Sequence, residues 1–357
     1  MRNEYPSPDF KRDSFVSLNG TWEFCFDDYN VGHKEKWFVK HDFDKKIEVP
    51  FSFETKLSGI HDTTYHDHVW YHKKLKDVKL SDNHLFILHF EGVDYYSEVY
   101  INGYLIKDHY GSNAGFQVDI TNYLVEGEND LVVYCFDPSK DRSIPRGKQD
   151  WELEGHAIWY TRTTGIYKSV WLEQVDKKYI KNFFVRTKLD RYCISYDVEV
   201  SEPNGTLEII VYDGNDSVKN SFKVTKKKNT YEFCLPNDFV NDRIWTLQRP
   251  FLFDINLILK DDYGNVVDKV NSYLGIREVK TENGKVLLNG LPIYQKLVLN
   301  QGYYVDGNLT APTVEDMEKD IDDMIAMGFN GCRIHQKAED RLFLYLCDKK
   351  GFLVWQE

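Results

Sequence analysis

The densest group of side chains with metal or proton chemistry lies early in the chain: His61, Asp62, His66, Asp67, His68 and His72. Imidazoles and carboxylates are common zinc ligands, and His66 and His68 would share a face if the segment were extended. The segment leads into Trp70-Tyr71 and reads as a polar surface loop, so no metal is assigned and no cofactor is inferred. A sparser set lies near the end. Asn300 and Gln301 follow one apolar strand-like run, and His335 follows another. In barrels of alternating strands and helices, ligands are met at the carboxyl ends of the strands. Two amides and an imidazole at such ends are therefore candidate binding residues. Lys226-Lys227-Lys228 reads as a solvated turn rather than a binding patch.

The elements that must position these residues fall into three stretches. A chain of 357 residues is too long for one ordinary core, so two or three domains are expected. Hydrophobic residues at 42% and charged residues at 29% fit a soluble globular protein. No run approaches the roughly 20 apolar residues of a membrane helix. The start, Met1-Arg2-Asn3-Glu4-Tyr5-Pro6, has no apolar core of a signal peptide. A net charge of −12 argues against a nucleic-acid partner, which would want a basic face. Six scattered cysteines (25, 135, 193, 234, 332 and 347) read as reduced core thiols of a cytoplasmic protein. An antibody-type disulfide is not expected, because Trp245 lies outside the Cys193–Cys234 interval.

Residues 1–175 read as β. Leu85–Phe90 is a short apolar run, Glu98–Ile101 alternates, and Asn102-Gly103 between strand-like runs is a hairpin signal, since both turn positions need positive φ. Leu131–Phe136 and Ser169–Glu173 add strands. Many short strands with polar turns predict a sandwich of jelly-roll type. Residues 176–276 hold about seven further strands, among them Leu207–Val211, Tyr231–Leu235, Leu252–Leu259 and Val266–Val270, which suggests an immunoglobulin-like sandwich. From residue 277 the grammar changes. A small hairpin over Leu287–Pro292 precedes a strand over Tyr294–Leu299. Thr313 opens a helix with Asp316 in a variant capping box, and Gly328 closes it. Phe329–Ile334 is a strand, Glu339–Lys350 a helix stopped by Gly351, and Phe352–Trp355 a third strand. Strand, helix, strand, helix, strand is the start of a parallel α/β array. A (β/α)₈ barrel takes about 250 residues, so 277–357 is expected to be only its first part. A bare apolar strand at the end of the chain points to a piece of a longer polypeptide.

The order of parts and many segments resemble glycoside hydrolase family 2, the β-galactosidase/β-glucuronidase family. Leu18-Asn19-Gly20-Thr21-Trp22-Glu23-Phe24 is similar to its opening L-N-G-x-W-x-F, Ile47–Pro50 to its "VP" strand, and Val69-Trp70-Tyr71 to its "WY" strand. Phe90–Tyr95 and Val99–Gly103 resemble its central jelly-roll motif, and Thr163–Val170 the G-I-x-x-x-V close of that domain. Gly275-Ile276-Arg277 and Leu288-Asn289-Gly290 resemble the entry to the barrel. Gly328-Phe329-Asn330 with Arg333, then Leu346-Cys347-Asp348, Gly351 and Val354, resemble the second βα unit.

The resemblance implies retaining hydrolysis of a terminal β-linked sugar, with a carbohydrate as the partner and a homo-oligomer as a possible assembly. Two carboxylates about 5–5.5 Å apart would carry the reaction. In the family they end the fourth and seventh barrel strands, so no catalytic residue is assigned in this chain, and it is expected to be inactive alone. Glu357 ends a strand but matches neither position. The loop before Thr163, with Trp159, Tyr160 and Arg162, aligns with the family's sugar-contacting segment. There an indole could stack on a pyranose and a guanidinium could bind hydroxyls or a carboxylate. Two departures leave the sugar open. Asn300-Gln301-Gly302-Tyr303-Tyr304 replaces a histidine-rich segment, and Arg333-Ile334-His335 has one residue between Arg and His where many members have two. The rival reading is a non-catalytic carbohydrate-binding protein made of the two sandwiches. Such a protein would have no use for strands ending in Asn300 and His335.

Overall fold

A computed structural model describes residues 2–357. The molecule is mainly β, with two antiparallel sandwiches followed by a short α/β segment. In the first sandwich a six-stranded sheet runs in the order Lys45–Val49, Gly20–Phe26, His68–Val78, Gly127–Phe136, Tyr96–Ile101, Tyr104–Tyr110. It faces a four-stranded sheet of Phe15–Ser17, Val170–Asp176, His84–Phe90 and Phe116–Asp119. Alternation along each strand divides the side chains between two cores. Trp22, Phe24, Val69, Tyr71, Leu131 and Val133 point between the sheets. Cys25, Trp70, Val132 and Tyr134 point the other way, under Trp37 and the loop that carries it. Asn102 and Gly103 turn the hairpin at φ 49° and 82°, as their types demand.

The second sandwich packs Ile180–Lys188, Cys193–Val200 and Lys228–Cys234 against Asp216–Lys223, Thr206–Asp213, Phe253–Lys260 and Val266–Leu274. One apolar core fills the space between, including Tyr196, Ile209, Ile255 and Val270. The cysteine reading needs correction here. Cys193 and Cys234 face each other directly across neighbouring strands of one sheet and are joined as a disulfide, with Cα atoms 3.9 Å apart. Cross-strand opposition brings Cβ atoms within bonding reach, and that register is invisible in the spacing of the two residues. The bond does not span the two sheets, so it is unlike the antibody bridge. Cys25, Cys135, Cys332 and Cys347 are buried free thiols.

The α/β segment holds the parallel strands Leu297–Asn300, Gly331–Ile334 and Leu353–Gln356. Its helices are Val314–Ala326 and Arg341–Lys350. Thr313 Oγ1 accepts from Asp316 N at 3.1 Å and donates to the Asp316 carboxylate at 2.9 Å, so the cap is reciprocal only in part. Met317 and Ile321 face the segment's core with Cys332, Ile334, Phe343 and Leu346. The second helix starts at Arg341, two residues later than its sequence suggests. Asp340 holds the cap position, yet its carboxylate serves a different purpose. It pairs with buried Lys168 of the first sandwich at 3.1 Å and with Arg2 at 3.6 Å. The second sandwich is fastened to the same segment through Asp348, which takes Arg277 at 2.7 Å and the Tyr273 hydroxyl at 3.1 Å. No helix among the described residues is long and apolar enough to cross a membrane.

Candidate functional site

Parallel pairing sets the three strand ends level: Asn300 lies opposite Ile334, and Ile334 opposite Gln356. Asn300, Gln301, His335 and Glu357 therefore gather on one rim. His335 N donates to Asn300 O at 3.0 Å. The Glu357 carboxylate bonds Arg333, accepts from Gln336 N at 3.1 Å and lies 3.6 Å from His335 Nε2. Behind the rim, buried Lys337 and Glu339 pair at 3.0 Å.

The first sandwich closes over this rim with a long connection between strands Gly127–Phe136 and Gly165–Ile166. The connection is braced from within. Arg146 donates to the carbonyls of Pro138, Ser139 and Asp141 at 2.7–3.1 Å. Buried Asp150 accepts from Glu152 N at 3.0 Å and from His156 N at 2.8 Å. Lys148 and Asp150 bond back to Tyr160 through their main chains. At Gly147 the backbone has φ +58°, and an added Cβ would come within 2.5 Å of Gln336 O. Glycine alone permits both the left-handed turn and that approach. Asn113 Oδ1 accepts from Ala338 N at 3.1 Å, and Asn308 Nδ2 donates to Arg162 O at 3.1 Å, which pins the two parts together.

The six residues singled out in the sequence divide into three groups. Gln301 and His335 line an enclosed nook with Tyr167, Tyr303 and Gln149 that leaves about 10 Å³ free, space for one water at most. Gln301 Oε1 and His335 Nδ1 are buried there without a hydrogen-bond partner. Asn300 is at the same rim, with its Oδ1 accepting from Gly302 N at 2.7 Å. Tyr160 stacks on Tyr303 with ring centroids 4.1 Å apart. Trp159 lies further out, in an open cleft of about 550 Å³ shared with Trp151, Arg142, Pro145, Asn113 and Gln336. Arg162 is 3% exposed and gives its guanidinium to the carbonyls of Glu152, Thr63 and Thr64 at 2.8–3.2 Å. It shapes the connection from inside. Sequence reasoning missed Trp151, Arg142 and Lys148. The signal was present: two tryptophans eight residues apart among cations, in one long connection.

The histidine segment does not converge. His66 bonds Asp28 at 2.7 Å and Asp62 at 3.3 Å, while His72 bonds Asp130 at 2.7 Å and also Glu23. His68 bonds the Tyr134 hydroxyl at 2.6 Å. Among the described residues no three His, Cys, Asp or Glu side chains are placed to hold one metal ion. A different cluster is fully interior. Glu54, Asp94 and Asp137 are each 6% exposed or less. Thr164 Oγ1 donates to Asp137 at 2.8 Å, and Gln149 Nε2 donates to Asp94 at 2.5 Å. Burial pushes Glu54 up to about 7 and Asp137 up to about 6. Burial and the neighbouring Asp137 raise Asp94 well above the usual carboxylate range.

Comparison with known proteins gives a consistent result. Residues 15–176 match the family description "Glycosyl hydrolases family 2, sugar binding domain", and residues 178–277 match "Glycosyl hydrolases family 2". A putative beta-glucuronidase of Formosa agariphila is 29% identical over 81% of this chain and 34% of its own length. A beta-galactosidase of Thermoanaerobacter pseudethanolicus is 27% identical over 95% of this chain and 44% of its own. The crystal structure of Ruminococcus gnavus beta-glucuronidase superposes with a TM-score of 0.81 at 22% identity, over 100% of this chain and 60% of that one. The chain thus spans about a third to three fifths of the proteins it resembles.

Proposed function

Since the chain belongs to glycosyl hydrolases family 2, we propose that it is the amino-terminal portion of a retaining exo-glycosidase that releases terminal β-linked sugars. In this reading residues 1–175 form a jelly-roll domain, 176–276 an immunoglobulin-like spacer, and 277–357 the first strands and helices of a (β/α)₈ barrel. One observation carries the reading. The connection from the first sandwich meets the carboxyl ends of three parallel strands, the place where barrel enzymes bind substrate. Asn300, Gln301 and His335 supply the strand side of the substrate site, Trp159 and Tyr160 the sandwich side, and Arg162 positions the latter two. The nucleophile and the acid/base are carboxylates outside this chain, one attacking the anomeric carbon while the other protonates the leaving oxygen.

Turnover of nitrophenyl β-glucuronide or β-galactoside tests this. The polypeptide that joins residues 1–357 to the remainder of a family-length chain should turn over one of these, and residues 1–357 alone should not. Turnover well above background by residues 1–357, or none on any aryl β-glycoside by the longer chain, overturns the reading. In the longer chain, His335→Ala should lower kcat/KM about 100-fold, roughly 2.7 kcal/mol, with little change in Tm.

A further inference from the structure

The open cleft at the outer edge of the rim has a chemistry of its own. Trp151 and Trp159 meet there with ring centroids 5.1 Å apart at 59°. In the cleft lining the Arg142 guanidinium stands 4.2 Å from the Trp151 ring centroid, and beside the cleft Lys148 Nζ stands 4.8 Å from that of Trp159. Among the described residues neither cation makes an ion pair, and neither side chain donates a hydrogen bond to the protein. No carboxylate lines the cleft. This is unusual in a chain of net charge −12, whose overall field repels anions. Nearby Arg146 is different: its two terminal nitrogens are used on main-chain carbonyls that brace the connection, and its Nε is buried. Arg142 and Lys148 are therefore free to meet a ligand.

We propose that this cleft is a subsite for a carboxylate-bearing pyranose, a uronic acid unit that adjoins the sugar held at the strand ends. The proposal rests on the glycosidase reading and narrows its substrate class. An indole presents a flat apolar face to the axial C–H bonds of a pyranose. A guanidinium offers paired donors to a carboxylate, and an ammonium adds a second positive charge. A cleft of about 550 Å³ accommodates one or two pyranose units. Gln336 and Asn113 also line the cleft and offer amide N–H groups to ring hydroxyls.

Binding to the 357-residue chain decides the matter without turnover. β-D-Glucopyranosyl-(1→4)-D-glucuronic acid, whose carboxylate is on the unit adjoining the terminal sugar, and neutral cellobiose are titrated, with tryptophan fluorescence and calorimetry as readouts. The acidic disaccharide should bind about tenfold more tightly or better, and added salt should shrink that ratio. The Arg142→Gln/Lys148→Gln double variant should bring the two affinities within about twofold at unchanged Tm. Trp159→Ala should weaken both sugars. Equal affinities for the two sugars, no binding of either, or a ratio that survives in the double variant overturns the proposal. So does inorganic phosphate that displaces the acid at equal concentration, which would mark a site for any anion. None of these outcomes bears on aryl glycoside turnover by the longer chain, so the two readings fail separately.

Discussion

Glu173, where the two sandwiches meet, lies 2.7 Å from Arg12, and Asp268 lies 2.9 Å from the same guanidinium. Glu54, Asp94 and Asp137, inside the first sandwich, have no Lys, Arg or His nitrogen within 4 Å. All five carboxylates are buried, yet Glu173 and the interior three end in opposite states. Burial works against the charge of Glu173, but His89, Arg12 and Tyr5 outweigh it and hold its acid constant at about 2. Hydroxyl, amide and main-chain N–H donors do less for the interior three, so burial prevails and favours the neutral acid. An isolated buried charge is costly enough that the group prefers to keep its proton. The junction is thus built to work ionised and the interior to work protonated.

The largest effect is expected at Arg12. Arg12→Met removes the guanidinium shared by two buried carboxylates, leaving Asp268 with no cation and Glu173 with His89 alone, which should cost about 3–5 kcal/mol of unfolding free energy near neutral pH. Urea denaturation measures it. A loss below about 1 kcal/mol would mean that water reaches the pair and that the two regions do not differ.

Next comes the pH dependence, where the signs are opposite. Glu173 has a lowered folded acid constant, so its contribution is present above about pH 4.5 and is lost as pH falls toward 2. Glu54 has a raised one. The unfolded chain gains stability relative to the fold as pH climbs from about 4.5 to about 7, by up to roughly 3 kcal/mol. Stability should accordingly peak near pH 5 and decline toward pH 8. Glu54→Gln should be more stable than the parent at pH 8 and close to it at pH 5. A parent protein more stable at pH 8 than at pH 5, with no gain from Glu54→Gln, would show that the interior acids are ionised.

The smallest effect sharpens the comparison. Tyr5 donates from its hydroxyl to Glu173. Tyr5→Phe should cost about 1–2 kcal/mol near neutral pH, and the cost should fade as Glu173 is protonated in acid. A cost that stays constant down to pH 2 would assign the loss to packing of the ring against Phe15 and Trp171.

These clusters also show where sequence reading runs out. Local signals carried through: the turn at Asn102-Gly103, the Thr313 cap, and the stops at Gly328 and Gly351 each depend on a few adjacent residues. The level strand ends with Asn300 and His335 were legible because parallel pairing follows from alternating strands and helices. Contacts set by distant register were not. Cys193 meets Cys234 only once both strands are aligned. Asp340 looks like a helix cap in the sequence, and only the fold shows that its carboxylate goes to Lys168, 172 positions earlier. Arg162 looks like a ligand-binding cation until its donors are traced to the carbonyls of Thr63, Thr64 and Glu152.

Gly147 touches Gln336 with main chain alone, while Arg146 and Asp150 hold the surrounding connection in shape from within. The side chains at the tip are therefore answerable to no strand or core. Mutation at positions 142, 148 and 151 can drift freely while the sheet beneath keeps its register. Over evolutionary time, or in a directed library, the appetite of the cleft can be rewritten within a dozen codons at almost no risk to the fold.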